Sequence, residues 1–265
     1  MKILSEVFER AKNENRAALI GYLPAGFPNR ELSARLIDAM VDGGVDIVEV
    51  GFPYSDPVMD GPVIQQAAEV SLRNGTSARD VLEIVSNVKV PALVMSYWNP
   101  IEKFGTEKFA TELSKSGGVG VITPDLTIEE SAPWIAATDA HNINRVYVVA
   151  PSTSDTRLAE VTRACSGFIY AASLMGVTGA RTSISGAAGE LVERIRKVSQ
   201  LRVAVGLGVS NADQAKQVAQ FADGVIVGSA FIKLVLESTS DFEAVERVTT
   251  LARELAAGVR RSKVL

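Results

Sequence analysis

Glu49 and Asp60 bracket the segment Glu-Val-Gly-Phe-Pro-Tyr-Ser-Asp-Pro-Val-Met-Asp. Residues 46–51 read as a buried parallel strand, whose two faces are ordinarily apolar, so a carboxylate inside that run needs a special reason to be there. The chain then enters a loop stiffened by Pro53 and Pro57, which ends at Asp60-Gly61 before a helical pattern beginning at Pro62. Two carboxylates therefore flank one strand-to-loop junction, and paired carboxylates are the material of general acid–base chemistry. The alternative for Glu49 is an ion pair that serves only the fold.

Other chemistries are poorly supplied. Imine formation needs a lysine near a strand end, and none of the strand-like runs carries one. The one histidine, His141, falls in a helix-to-strand turn at the opposite face from Glu49 and Asp60, which excludes a His-rich metal centre and disfavours a Ser-His-Asp triad. It reads as a solvated turn residue. Cys165 closes a helical stretch and reads as small core filler; a single cysteine also excludes an internal disulfide and fits a reducing compartment. Glycines point instead to an anion. Arg-Val-Ala-Val-Gly-Leu-Gly ends at Gly208, and Gly-Val-Ile-Val-Gly-Ser ends at Gly228-Ser229. Exposed backbone N–H groups at such loops, beside a short helix N-terminus, form a phosphate cup. Glycines can also merely end strands or relieve packing, but two stops on adjacent strands favour a phosphorylated ligand. Between them and the preceding strand, residues 176–186 are small, polar and bracketed by glycines, which suits a lid that closes over ligand and excludes water; Gly179 would lie beside the cup.

These residues need a scaffold that gathers strand ends. Short runs rich in β-branched residues at 17–22, 46–51, 91–98, 119–123, 145–150, 167–173, 202–208 and 224–228 alternate with helical patterns at 31–40, 78–87, 106–115, 129–138, 157–164, 190–199, 212–219 and 242–259. Eight βα units in 265 residues predict an α/β protein, a single (β/α)₈ TIM barrel spanning 1–265, with an extra N-terminal helix at 4–12 that could plug its bottom. A doubly wound open sheet is the weaker reading, since no Gly-x-Gly-x-x-Gly follows the first strand. A net charge of -4 with no basic cluster argues against nucleic acid, and no stretch is apolar enough to cross a membrane, so a soluble cytoplasmic protein is expected.

At this level of detail the motif from Glu49 through Asp60-Gly61-Pro62-Val-Ile-Gln65 resembles the signature of the tryptophan synthase α subunit family. Ser-Leu-Met-Gly-Val-Thr-Gly at 173–179, Val-Gly-Leu-Gly-Val-Ser at 205–210 and Gly-Val-Ile-Val-Gly-Ser-Ala at 224–230 match its other loops in order and spacing, so the resemblance spans the chain. Met59, Leu207 and Leu174-Met175 depart from the residues common there and bear on pocket shape and lid detail. The resemblance implies retro-aldol cleavage of indole-3-glycerol phosphate to indole and glyceraldehyde 3-phosphate, with neither imine nor metal. On that basis Asp60 stabilises the indole ring cation through its N–H, and Glu49 shuttles protons, with a pKa raised by an apolar barrel mouth. Tyr170 and Thr178 line the site, Thr178 holding Asp60 when the lid closes, while Tyr22 and Tyr97 wall the indole or simply pack the barrel. It further implies an α₂β₂ complex in which indole passes through a tunnel to a pyridoxal-phosphate β subunit, the α chain holding no cofactor. The loop carrying Pro53, Asp56 and Pro57, together with Asn99-Pro100, resembles the β-facing elements, with Asp56 matched to a β-subunit lysine. A stand-alone lyase that releases free indole, a non-catalytic phosphate-binding regulatory barrel and another phosphosugar isomerase are the competing readings.

Overall fold

The repeated unit closes on itself. In a computed structural model, which describes residues 2–172 and 186–260, eight parallel strands pair in sequence order and the last returns to the first. They are β1 (Ala18–Pro24), β2 (Ile47–Gly51), β3 (Ala92–Met95), β4 (Gly120–Thr123), β5 (Asn144–Val149), β6 (Phe168–Ala172), β7 (Arg202–Gly206) and β8 (Gly224–Val227). The described helices are α1 (Lys2–Asn13), α2 (Arg30–Asp42), α3 (Pro62–Arg73), α4 (Ala78–Asn87), α5 (Trp98–Phe104), α6 (Thr106–Lys115), α7 (Ala132–Ala140), α8 (Asp155–Ala164), α9 (Gly186–Val198), α10 (Ala212–Ala219), α11 (Ser229–Glu237) and α12 (Asp241–Gly258). This is the (β/α)₈ barrel that the spacing predicts.

Strand alternation divides the apolar residues into two bodies. Ala18, Ile20, Ile47, Leu93, Ile122, Val146, Phe168, Ala204 and Ile226 fill the barrel interior together with Leu4, Val7, Phe8 and Ala11 of α1. The extra helix thus plugs the N-terminal end, its Phe8 ring 5.7 Å from that of Phe168. The other strand faces pack outward against the helices. Short polar residues begin several of these helices: Asn29, Ser154, Asn211 and Ser240 each accept a first-turn N–H through the side chain. Pro62 opens α3 directly after Gly61, where a helix leaves N–H groups without intrahelical partners anyway.

Several details depart from the periodicity, among them four on the C-terminal side of strands. The third strand stops at Met95 rather than running to residue 98, because Tyr97 turns to cap α5 and Pro100 sits in that helix's first turn. The seventh stops at Gly206, since Gly208 takes φ +68, a left-handed conformation foreign to strands. The helix expected from residue 129 starts at Ala132, because Glu130 and Ser131 instead close tight turns onto Thr127 and Ile128. After β8 the chain forms the full helix α11, of which only the N-terminus was anticipated.

Candidate active site

Glu49 lies on the inward face of β2, two residues beyond Ile47 and level with Tyr22 of β1 in the parallel register. It is 0% exposed, and neither carboxylate oxygen has a hydrogen-bond partner among the described residues. Burial pushes its carboxyl up from the ordinary 4.5 to about 8, so that it is a neutral acid at pH 7. Among the described residues the ion-pair alternative finds no cation. The buried carboxylate just before the strand, Asp46, accepts from Arg16 at 2.6 and 2.9 Å and from the Leu19 amide at 2.9 Å.

Asp60 stands on the loop after β2, whose backbone is tied to itself: the Asp60 amide donates to Pro57 O at 3.0 Å, and the Val58 amide to Asp56 O at 2.9 Å. From α3, Gln65 Nε2 donates to Asp60 O at 2.9 Å. The Met59 amide donates to the Tyr97 hydroxyl at 2.9 Å, which brings that phenol close enough to act on the Asp60 carboxylate. Burial lifts Asp60 from 3.8 to about 6, the Tyr97 phenol acting in the opposite sense, so Asp60 is mainly ionised at neutral pH. Both carboxylates act on the same two phenols: burial first, then the charges of Asp60 and Glu49, hold Tyr22 and Tyr170 well above the ordinary tyrosine range. The two acids therefore face one mouth in opposite protonation states, a proton donor beside an anion.

Glycines at three strand ends make room for those rings. A Cβ on Gly51 would lie 2.5 Å from Tyr22 Oη, one on Gly206 would lie 2.6 Å from Tyr170 Oη, and one on Gly228 would lie 2.9 Å from Tyr22 Cδ1. Gly228 thus relieves packing, the lesser reading of its role, and also precedes the N-terminus of α11 at Ser229. The Phe231 and Ile232 amides return to Gly228 O, leaving the amides of Ser229 and Ala230 to open the helix. Gly208 is exposed on the neighbouring β7 loop with its left-handed φ. The ends of the adjacent strands β7 and β8 thus carry glycine backbone and a helix N-terminus, the kind of groups that can bind an anion. Thr178, Gly179 and the lid expected over 176–186 lie outside the described residues up to residue 185; Gly186 already begins α9.

The remaining candidates separate by place. Pro53 is buried, Pro57 and Asn99 are half-buried, and Asp56 is exposed; its carboxylate accepts from Ser55 Oγ at 2.6 Å and pairs with no cation among the described residues. His141 is a turn residue but not merely solvated, for its Nε2 lies 2.8 Å from Glu107 Oε1 and 3.0 Å from Thr111 Oγ1. Burial pushes the Cys165 thiol up to about 12, which leaves it inert as a nucleophile. Among the described residues no three His, Cys, Asp or Glu side chains are grouped to hold a metal ion. Sequence reasoning missed Gln65 as the anchor of Asp60, as well as the bond from Tyr97 to Met59. A polar side chain one turn into the helix that follows a functional loop was the available signal for Gln65.

A (β/α)₈ barrel with a buried acid on β2, a second carboxylate on the next loop and glycines at the ends of β7 and β8 defines a class of acid–base barrels. Comparison narrows the class. The family model "Tryptophan synthase alpha chain" matches residues 8–260, and the chain belongs to this family. It is 54% identical to the tryptophan synthase alpha chain of Thermobifida fusca, over 98% of both chains. Among solved structures it is similar to a chain of tryptophan synthase from M. tuberculosis in an aminoacrylate-bound form, with a TM-score of 0.89 and 46% identity over 97% of this chain and 99% of that one. The alpha subunit from Legionella pneumophila superposes with a TM-score of 0.88 at 29% identity, over 98% of each chain. No described helix is long and apolar enough to cross a membrane.

Proposed function

We propose that the barrel mouth cleaves indole-3-glycerol phosphate to indole and glyceraldehyde 3-phosphate, with Glu49 as proton shuttle and Asp60 as electrostatic partner of the indole ring. The observation that carries this reading is Glu49 itself: buried, unpaired among the described residues, and protonated at neutral pH. Glu49 gives its proton to indole C3, and the ring becomes a cation whose N–H faces the Asp60 carboxylate. The Glu49 carboxylate then takes the proton of the side-chain hydroxyl. As that O–H breaks, the carbinol carbon becomes the aldehyde, the C–C bond electrons return to the ring, and Glu49 is protonated again. Asp60 matters because it is charged when the cation forms, so its stabilisation is realised chiefly in the transition state. The phosphate binds at Gly208, Gly228 and Ser229, joined by Gly179, while Tyr22 and Tyr170 wall the ring.

The partner in this reading is a tryptophan synthase β subunit, which receives the indole and supplies pyridoxal phosphate; the α chain needs no cofactor of its own. The loop after β2 supports it. Val58 is 82% and Met59 55% exposed on that loop, beside Asp56, which meets no cation among the described residues, and a cleft of about 500 Å³ lined by Tyr54, Pro57, Gln65 and Leu72. Exposed apolar residues rimmed by polar ones suit a protein interface. The test is release of indole from indole-3-glycerol phosphate by the purified chain, alone and with β subunit. Slow cleavage that accelerates on mixing is expected. Full activity without β subunit would point to a stand-alone lyase, and no indole under either condition would overturn the assignment.

A further inference from the structure

We propose that Tyr97 is the positioning residue of Asp60: its hydroxyl, fixed at the turn between β3 and α5, grips the loop at Met59 and aims the Asp60 carboxylate at the indole nitrogen. The inference rests on the retro-aldol reading and goes beyond it, because it replaces the role of aromatic wall with a defined mechanical one. Tyr97 is held from several sides. The neighbouring Ser96 amide donates to Ile122 O at 3.0 Å, the Trp98 amide to Asp125 Oδ1 at 2.9 Å, and Ser96 Oγ to Tyr97 O at 2.7 Å. Its ring packs on Tyr54, with centroids 5.3 Å apart, and is 5% exposed. The hydroxyl is already engaged as acceptor of the Met59 amide at 2.9 Å, so its one proton is free to be aimed at Asp60.

By contrast, the bonds made by Asp60 itself to its own loop and to α3 involve only its backbone. Tyr97 therefore ties the end of β3 to the loop that carries the Asp60 carboxylate. Its next neighbours in sequence, Trp98 and Asn99, open α5, so displacement of that turn by a partner reaches Asp60 through one hydroxyl. This is a short physical connection rather than a diffuse one.

The titratable groups facing Asp60 and Tyr97 are Tyr22 of β1, Glu49 of β2, Tyr54 of the loop after β2, Tyr170 of β6 and Asp125 after β4. Tyr22 and Tyr170 are held well above neutrality, burial pushes Glu49 up to about 8, and Asp125 acts on Tyr97. An acid limb near 6 therefore reports Asp60.

The experiment compares the parent α chain with Tyr97→Phe, Asp60→Asn and the double variant, each with β subunit present. Tyr97→Phe should lower kcat for cleavage roughly tenfold, about what one hydrogen bond to a charged group contributes, with KM within about twofold. Removing the phenol removes a group that lowers the Asp60 pKa, so the acid limb of kcat/KM should move to higher pH by about half a unit or more. In the Asp60→Asn background, Tyr97→Phe should cost under about twofold, since its effect runs through the carboxylate. An unmoved limb, an equal tenfold loss in both backgrounds, or a raised KM with kcat preserved would each overturn the inference. Loss of cleavage in Asp60→Asn beside parental rates in Tyr97→Phe would sink the inference alone. Parental rates in Asp60→Asn would sink the assignment of Asp60, and this inference with it.

Discussion

Asp46 lies just before β2 and Glu49 at its centre, both almost wholly removed from water, 6% and 0% exposed, and they have opposite fates. Asp46, just before β2, is surrounded by donors: two bonds from Arg16, a weaker one from Arg10 at 3.4 Å, and the Leu19 amide. It ties the start of β2 to β1 at the plugged end. Glu49 meets tyrosine rings and no donor among the described residues. Burial alone therefore does not make a functional carboxylate. A buried acid given cations holds the fold together, whereas Glu49, denied them, is pushed up to about 8 and can transfer its proton.

Glu49→Gln should sharpen the contrast most. Cleavage should fall by more than roughly 10²-fold, as expected when a positioned acid–base group is lost. Stability should respond in the opposite direction. The folded chain favours the neutral acid, so the Glu49 contribution is complete below about pH 4.5 and is lost progressively as pH rises through about 8. That loss is on the order of 4 kcal/mol and should be absent from the variant. Urea unfolding of both chains at pH 5 and pH 9 measures it, and parallel pH dependence would break the distinction. Asp46→Ala should do the reverse. It strands Arg16 and the Leu19 amide, so unfolding free energy should drop by about 3 kcal/mol while kcat of the folded protein changes little. A variant as stable as its parent would make the Asp46 cluster ornamental.

Two smaller effects probe the mouth itself. Gly208→Val places a branched side chain on a left-handed backbone at the proposed phosphate cup. Calorimetry should show indole-3-propanol phosphate weakened by more than roughly tenfold and indole hardly changed. Equal weakening of both ligands would mean general damage to the barrel. Asp56→Ala should have the smallest effect, since surface ion pairs are often worth under about 1 kcal/mol. Titration with β subunit should show reduced activation with the basal cleavage rate intact, and superimposable curves would remove Asp56 from the interface.

The same strand marks the boundary of what the sequence could disclose. Glu49 was legible because a carboxylate in an apolar run breaks the strand pattern. Asp46 stands in the same stretch, but its meaning depends on an arginine thirty residues away, which periodicity does not register. The barrel itself was readable from the βα repeat, whose local signals are strong. Strand ends were less so: Tyr97 was read as part of a strand, yet it caps a helix and touches Met59 across a separation of 38 residues. Gly228 was read as backbone for a phosphate cup, but the approach of Tyr22 to it is a tertiary fact.

The plug formed by α1 has a consequence for traffic. With Phe8 lodged beneath Phe168, the barrel is a vessel with a stoppered base, and whatever is made above Glu49 must leave past the rim. That rim carries the loop with Val58 and Met59, so on the proposed reading the exit and the berth for the next enzyme share one side. A neutral, oily product such as indole would then meet the receiving protein on its way out, without any bore through the length of the barrel.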